Sequence, residues 1–516
     1  GDFIDYKLSN SENLKNILYR VYGYKEFNKG QINIINNSLR GNNTIGILPT
    51  GAGKSLCYQL TSLLQFGLTI VVCPIKSLIY DQLKELQAIG CTKTEYITGD
   101  ISSKDRENIY KKVISGKIKF LIVSPERLQQ KQFREDIIQR LHDEKRLSYF
   151  VVDEVHCLSE WGHDFRVSYL TLSKTISTYA PDSKLICLTA TASINVLDDI
   201  RYEFEIEDQN IKFIKNFTRK ELSFNVIDCN KNNSKKEELK NIINEESFDN
   251  SGIVFTPFVN GDFGCYTLHN KFKSTFKDNK EQINYFSGKE PKNVKKSVFQ
   301  KEKIKIQENF KKDEIKLLFA TKSFGMGVNK KNVRYTVHYG IPSSIEGFYQ
   351  EAGRAGRDKQ KANCYVLFNR PHENTVSNLL DIKNKDKELI KFYKTIDRRE
   401  RGDIENQLYL MTNENNDFEI YIRRINQVFN FLRGSKANAN GEIKVSLGRD
   451  SEKLLYKLYQ IGVVENWSVE DFYSGVYSVV FNNISLEDMK DNLIKLIKRY
   501  KNNIFIENHN LENITP

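Results

Sequence analysis

The feature that most restricts how this chain can fold is a seven-residue loop, Pro49-Thr50-Gly51-Ala52-Gly53-Lys54-Ser55. An apolar run, 45–48, leads into it, and a helix-like run follows. A buried strand that turns at once into a helix is the repeating unit of a parallel sheet, because parallel strands must be joined by a crossover. Gly51 and Gly53 let backbone N–H groups curl toward an anion, and the helix N-terminus adds positive potential. In that geometry Thr50, Gly51, Ala52 and Gly53 cradle a nucleotide's phosphates. Lys54 reaches the β- and γ-phosphates, and the Ser55 hydroxyl ligates Mg²⁺.

Other short runs rich in Ile, Val and Leu share this character. With 44–48, the runs 69–73, 120–123, 149–152 and 185–188 read as one sheet buried on both faces. A second set, 252–255, 316–320, 335–338 and 364–368, reads as another. The polar stretch 230–238 is the expected hinge between them. We therefore expect one α/β domain over 1–229, a second over 230–370, a helical linker over 371–440 and a smaller unit over 441–516. In the last, 451–461 reads as an amphipathic helix ending at Gly462, and 463–481 as a hairpin turning near Ser474 and Gly475. A basic helix, 486–500, closes the pattern. Helix plus hairpin suits a winged-helix module and an accessory packing domain equally. No internal sequence repeat is evident.

At 516 residues the chain exceeds one ordinary core, and a 39% hydrophobic fraction suffices for several. The formal charge of +12 fits a polyanionic partner. Lysine is abundant together with Asn, Ile, Tyr and Phe, as AT-rich coding also produces, so charge alone does not decide. None of the eight cysteines forms a Cys-x-x-Cys pair and none lies beyond Cys364. That spacing predicts reduced thiols and no zinc site. No apolar stretch approaches membrane-spanning length and no signal peptide opens the chain. It starts Gly-Asp without methionine, as a trimmed or excised fragment would. The expected location is intracellular: the cytoplasm and nucleoid of a prokaryote, or a eukaryotic nucleus.

The run 149–152 leads directly into Asp153-Glu154-Val155-His156. Two acids at a strand end place Asp153 near a nucleotide's metal and Glu154 near the attacking water as general base. His156 is positioned to relay nucleotide state toward the second domain. Beyond it, Cys157-Leu-Ser-Glu-Trp161-Gly162-His163-Asp164-Phe165-Arg166 holds one of only two tryptophans among polar and glycine residues. Such a loop can stack on bases, or be a loop anchored by buried aromatics.

Asp-Glu-x-His-Cys-x-Ser-x-Trp-Gly-His-Asp-Phe-Arg resembles the second motif and aromatic-rich loop of the RecQ family of DNA helicases. Further agreement lies at Cys73-Pro74-Ile75-Lys76-Ser77-Leu78, Ser124-Pro125-Glu126-Arg127 and Leu188-Thr189-Ala190-Thr191-Ala192. It continues at Ala320-Thr321, at Phe324-Gly325-Met326-Gly327-Val328-Asn329-Lys330, and at Tyr349-Gln350-Glu351-Ala352-Gly353-Arg354-Ala355-Gly356-Arg357-Asp358. These blocks run in the family's order from about Tyr22 to Phe368. Leu48, standing where the general phosphate loop has its first glycine, fits the same helicase class.

The resemblance implies two tandem RecA-like domains with ATP between them, and single-stranded or partly duplex DNA as partner. It implies 3′-to-5′ movement by a chain expected to act as a monomer, with ATP and Mg²⁺ as its only cofactors. Gln350, Arg354 and Arg357 are then the second domain's share of the nucleotide cleft, the arginines as fingers on the γ-phosphate. His156, Trp161, His163, Phe165 and Arg166 would couple DNA to it. Tyr24-Lys-Glu-Phe27-Asn28-Lys29-Gly30-Gln31 resembles the adenine motif, with Gln31 reading the base edge and Tyr24 stacking on it; Asn28 and Lys29 replace the family's Arg and Pro.

The stretch 256–265 departs from the family's fourth motif. Lys-rich 289–312 is lengthened ahead of the family-like Gln307 and Phe310, and 289–305 reads as a solvated insertion. The family's four-cysteine zinc module is missing. Two other readings stay open: an RNA helicase or remodeller, and a DNA-stimulated ATPase clamp or sensor subunit that does not unwind.

Overall fold

The computed structural model describes residues 11–159, 166–190, 192–214, 218–229, 234–292, 294–325, 330–380, 391–392, 394–397, 400–413, 418–438, 441–448, 451–471 and 474–500. The first sheet has seven strands: β1 (Thr44–Ile47), β2 (Leu68–Val72), β3 (Thr94–Ile97), β4 (Phe120–Val123), β5 (Leu147–Asp153), β6 (Lys184–Thr189) and β7 (Ile211–Phe213). Their order is β3-β4-β2-β5-β6-β1-β7, and all pairs are parallel. The central strands are buried on both faces, β2 and β4 over their whole length. Helices cover them, as continuous apolar runs demand.

The second sheet holds β8 (Leu222–Asp228), β9 (Ser251–Phe255), β10 (Ile283–Phe286), β11 (Leu317–Ala320), β12 (Val333–Tyr339) and β13 (Ala362–Phe368), ordered β10-β11-β9-β12-β13-β8 and again parallel. These two sheets are RecA-like α/β units, as expected.

Three expectations are corrected. Residues 222–228, placed with the first unit, form the edge strand β8 of the second sheet, so the chain crosses between sheets after Phe213 and before Leu222. Of the expected hinge 230–238, residues 230–233 lie outside the described set. The rest opens the Lys235–Glu246 helix, where Ser234 and Glu237 form a capping box. A polar run that looked like a linker is a helix start. The Lys-rich stretch is likewise half structure: the Lys296–Lys311 helix buries Phe299, Ile306 and Phe310. Lys303 lays its ammonium 4.7 Å from the Phe286 ring centroid. A fully buried Phe stabilises by about 1.5–3 kcal/mol, so this face is core and only its far side is solvated.

The chain then builds a small antiparallel sheet, β14 (Glu442–Ser446), β15 (Val464–Asp471) and β16 (Val476–Phe481), ordered β14-β16-β15. The hairpin of β15 and β16 and the helices Glu452–Gln460 and Leu486–Tyr500 fall where the periodicity put them. The Phe418–Gly434 helix, read as linker, contributes Val428 and Leu432 to this module's packing.

The two ends of this C-terminal region hold different sheets. Asp403, 3% exposed, takes both carboxylate oxygens to Lys235 Nζ at 2.6 and 2.5 Å and accepts from the Asn369 backbone N–H at 2.7 Å. That buried pair fixes the Asp403–Asn413 helix to the second unit. The three-stranded module packs on the first unit instead, in one continuous apolar cluster that joins Phe133 and Leu172 with Leu455 and Trp467. Arg134 is buried there; its Nε donates to the Leu128 carbonyl at 2.5 Å and Nη1 to the Trp467 carbonyl at 3.2 Å. Lys131 pairs with Glu442 at 3.1 Å beside it.

Candidate nucleotide site between the two sheets

Strand order decides what meets at the site. Because β1 lies beside β6, and β6 beside β5, the loop after β1, Thr189 at the end of β6 and Asp153 at the end of β5 share one sheet edge. Ligands of open α/β sheets bind at the carboxyl ends of such strands. Gly51 and Gly53 adopt φ of +86° and +78°, a left-handed conformation that glycine tolerates without strain. The helix Lys54–Leu63 starts immediately afterwards.

Lys54 Nζ lies 2.7 Å from Glu154 Oε1, so the loop lysine and the second acid form an ion pair. Glu154 itself sits at φ +50°, a strained position for a residue with a Cβ, which turns its carboxylate toward the loop. His156, 1% exposed, bridges the site from behind, with Nδ1 3.3 Å from Glu154 Oε2 and 2.9 Å from Thr189 Oγ1. It ties the acid pair to the 188–192 motif within the first sheet. Burial opposes ionisation of Glu154, but Lys54 and His156 outweigh it and hold that carboxyl well below the usual range. Burial and the adjacent Glu154 charge push Asp153 the other way. The Asp153 backbone is anchored by the Tyr169 hydroxyl, which donates to its carbonyl at 2.9 Å.

The donor set suits a Mg–nucleotide. Ser55 and Asp153 offer hard oxygen atoms, which Mg²⁺ takes from one or two protein groups plus phosphate. The buried Thr50 hydroxyl has no protein partner inside the cradle. Among the described residues, no group of three or more His, Cys, Asp or Glu side chains could hold a metal ion.

Two of the expected ligand contacts also hold the protein together. Gln31 Nε2 donates to the Ala52 and Gly53 carbonyls at 2.9 Å each, and Oε1 accepts from the Asn28 backbone N–H at 2.8 Å. It braces the phosphate loop, and Asn28 adds a bond to the Ala52 carbonyl at 3.1 Å. Arg166 Nη1 donates to the Pro74 carbonyl at 2.6 Å, pinning the loop after β2. Tyr24 has an exposed ring stacked near-parallel to Tyr22, with centroids 6.3 Å apart. Trp161, His163 and Phe165, together with Thr191 and 326–329, lie outside the described residues.

The second sheet closes the site from above. The Ile345–Ala352 helix carries Gln350, buried, and leads into the turn that bears Arg354 and Arg357. A Cβ on Gly51 would lie 3.8 Å from Arg357 Cγ, and one on Gly353 would lie 3.6 Å from Thr50 Cβ, so this turn rests on the phosphate loop. Burial lowers Arg354 to about 9 and Arg357 to about 10, which leaves both cationic at neutral pH, and each feels the Glu154 carboxylate.

Sequence reasoning missed several contributors. Lys311 Nζ reaches across the cleft to Asp81 Oδ1 at 2.8 Å. Gln82 Nε2 donates to Ser55 Oγ at 2.9 Å, and the Tyr58 hydroxyl bonds Gln82 in turn. The helix Lys76–Ala88 begins inside a quoted motif block, and that was the available signal. Arg219, between the sheets, gave none.

With this geometry in hand, the likenesses to known proteins follow. Residues 28–200 match the DEAD/DEAH box helicase model and 234–359 the helicase conserved C-terminal domain. The chain is 34% identical over 356 residues to the ATP-dependent DNA helicase RecQ of Haemophilus influenzae, covering 69% of this chain and 53% of that one. It is 34% identical over 367 residues to the RecQ-like DNA helicase blm-1 of Caenorhabditis elegans, covering 69% and 35%. This chain therefore spans about half or less of those relatives' length. Among solved structures, DNA-bound DUF1998 helicase MrfA is similar at TM-score 0.55 and 20% identity, covering 71% of this chain and 52% of that one. Mss116p bound to ssRNA and AMP-PNP is similar at 0.55 and 20%, covering 74% and 77%. At such identity these two speak to the fold alone.

Proposed function

We propose, for a chain whose helicase core is that of the RecQ family, that it is an ATP-dependent DNA helicase that couples ATP hydrolysis to 3′-to-5′ movement along one strand. The observation that carries this reading is the meeting of Lys54, Glu154 and the Arg354–Arg357 turn on one phosphate loop, with the acids on one sheet and the arginines on the other. Hydrolysis at that place changes how tightly the second sheet's arginines hold the nucleotide seated on the first, and a cycle of closing and opening moves two domains along a polymer.

In the proposed cycle, phosphate takes Lys54 from Glu154. The carboxylate loses the charge that most depresses it and becomes a better base for the attacking water. Ser55 and Asp153 would hold Mg²⁺, which would neutralise charge on the phosphates. Arg354 and Arg357 stabilise the negative charge that develops as the terminal bond breaks, with Gln350 beside them. Thr50 to Gly53 line the phosphates, Gln31 keeps that loop in shape, and Tyr24 stacks on the base. His156 passes the state of Glu154 to Thr189, while Trp161, His163, Phe165 and Arg166 report the presence of DNA.

The names of the two sequence relatives, both DNA helicases, and the Trp161-bearing loop favour DNA over RNA as the strand. Single-stranded DNA should raise the ATPase rate at least tenfold, and RNA of the same length and sequence should not. A shared salt sensitivity is expected in binding, because phosphate contacts dominate affinity for either polymer. Equal or greater stimulation by RNA would assign the chain to RNA instead.

A further inference from the structure

We infer that Arg219 is a positioning residue for hydrolysis, one that sets the turn bearing Arg354 and Arg357 against the phosphate loop. The inference rests on the finger reading just given and deepens it. Arg219 lies in the short crossing between the two sheets, just before β8. Its side chain is only 10% exposed, and Glu221 holds its Nε.

Its remaining nitrogens are spent on one place. Nη1 donates to the Gly353 carbonyl at 3.1 Å, and Nη2 to the Ala355 and Gly356 carbonyls at 2.8 and 2.9 Å. Those three carbonyls flank Arg354 and directly precede Arg357, so one planar fork gathers the backbone of the turn that carries both fingers. The gathered turn follows the C-terminal end of the Ile345–Ala352 helix, where a cation is also favoured by the helix dipole.

Packing reinforces the arrangement. Gly356 has φ +62°, and a Cβ there would lie 3.1 Å from Glu221 Cγ and 2.9 Å from the Gln360 carbonyl. Only glycine lets the turn approach the Arg219–Glu221 pair so closely. The Arg219 charge also stands near enough to Arg357 to lower it further, so two cations are held side by side at a buried point. A lysine cannot replace this fork: its ammonium is a point donor that cannot serve three carbonyls and a carboxylate in one plane.

The experiment is steady-state ATP hydrolysis by the full chain with saturating single-stranded DNA, with melting temperatures measured alongside. Arg219→Lys should lower kcat by about a hundredfold, the loss expected when a reacting geometry shifts by about an ångström. KM for ATP should stay within about twofold, since the phosphate loop is untouched. Glu221→Gln, which keeps the guanidinium but loosens it, should give a smaller kcat loss with the same unchanged KM, and it carries the test if Arg219→Lys melts early. In an Arg354→Ala/Arg357→Ala background, Arg219→Lys should change kcat by less than about twofold, because both groups it positions are gone. Parent-level kcat in Glu221→Gln and Arg219→Lys would overturn the inference. So would kcat losses that add in full to those of the Arg354→Ala/Arg357→Ala double variant. If Arg354→Ala and Arg357→Ala themselves hydrolyse at the parent rate, it is the finger reading that falls.

Discussion

Replacing Glu154 with glutamine should cut ATP hydrolysis by about 10²–10⁴-fold, the range a positioned general base supplies, while leaving ATP bound. The structure gives the reason for both halves. Glu154 is held between Lys54 at 2.7 Å and His156 at 3.3 Å, so its carboxylate is aimed, ionised and close to the loop. Glutamine keeps the shape and can still accept a hydrogen bond from Lys54, but it cannot take a proton from water. Asp153 and Ser55 stay as oxygen donors, so affinity survives. Lys54→Ala should behave differently. It removes the charge that meets the phosphates and also leaves the Glu154 carboxylate without its main counter-charge, so binding and turnover fall together. Titration with a fluorescent ATP analogue, beside single-turnover phosphate release, separates the two cases. A Glu154→Gln variant that hydrolyses at near the parent rate would remove Glu154 from the chemistry.

Arg354→Ala and Arg357→Ala should each lower kcat by about 10³–10⁵-fold, the span seen when an arginine finger is withdrawn from phosphoryl transfer. Both side chains come from the second sheet, yet Arg357 Cγ stands 3.8 Å from where a Cβ on Gly51 would be. Both are desolvated cations within reach of the Glu154 charge. A desolvated cation placed where negative charge grows acts mainly on the transition state, so KM for ATP should move by less than about tenfold. Comparable losses in affinity and turnover would place them as ground-state phosphate binders.

Much of this molecule was legible in its sequence, and the reason is burial. Strand β4 is an unbroken run of Phe, Leu, Ile and Val because both faces are covered, and the buried β9 was likewise located to within a residue. Strands at a sheet edge in the two RecA-like units were not legible. β3 shows only Thr94 and Ile97 to the interior, and β8 exposes its middle four residues, so neither announces itself as an apolar run. Missing β8 also misplaced the crossing between sheets, and with it the meaning of the polar stretch that follows.

At the site, residues that lie inside a recognisable motif could be named from sequence, among them Lys54, Asp153 and Glu154. Residues outside any motif, which only a distant contact brings to the site, could not. Arg219 meets carbonyls 134 to 137 positions away, and Lys311 meets Asp81 230 positions away. Pattern alone also could not show that the Gln31 amide reaches the Ala52 and Gly53 carbonyls. The docking of the C-terminal module on Arg134 was equally invisible. Amphipathic periodicity says that a face is buried, never against what.

The central claim is that ATP hydrolysis in this cleft drives separation of paired DNA strands. Its most direct test is strand displacement from a fluorescently labelled partial duplex carrying either a 3′ or a 5′ single-stranded tail, with Mg–ATP and with a non-hydrolysable analogue. The account predicts ATP-dependent release of the short strand from the 3′-tailed substrate, little from the 5′-tailed one, and none with the analogue or with Glu154→Gln. Robust DNA-stimulated ATP hydrolysis with no strand released from either substrate would contradict it, and would identify the chain as an ATPase that engages DNA without unwinding it.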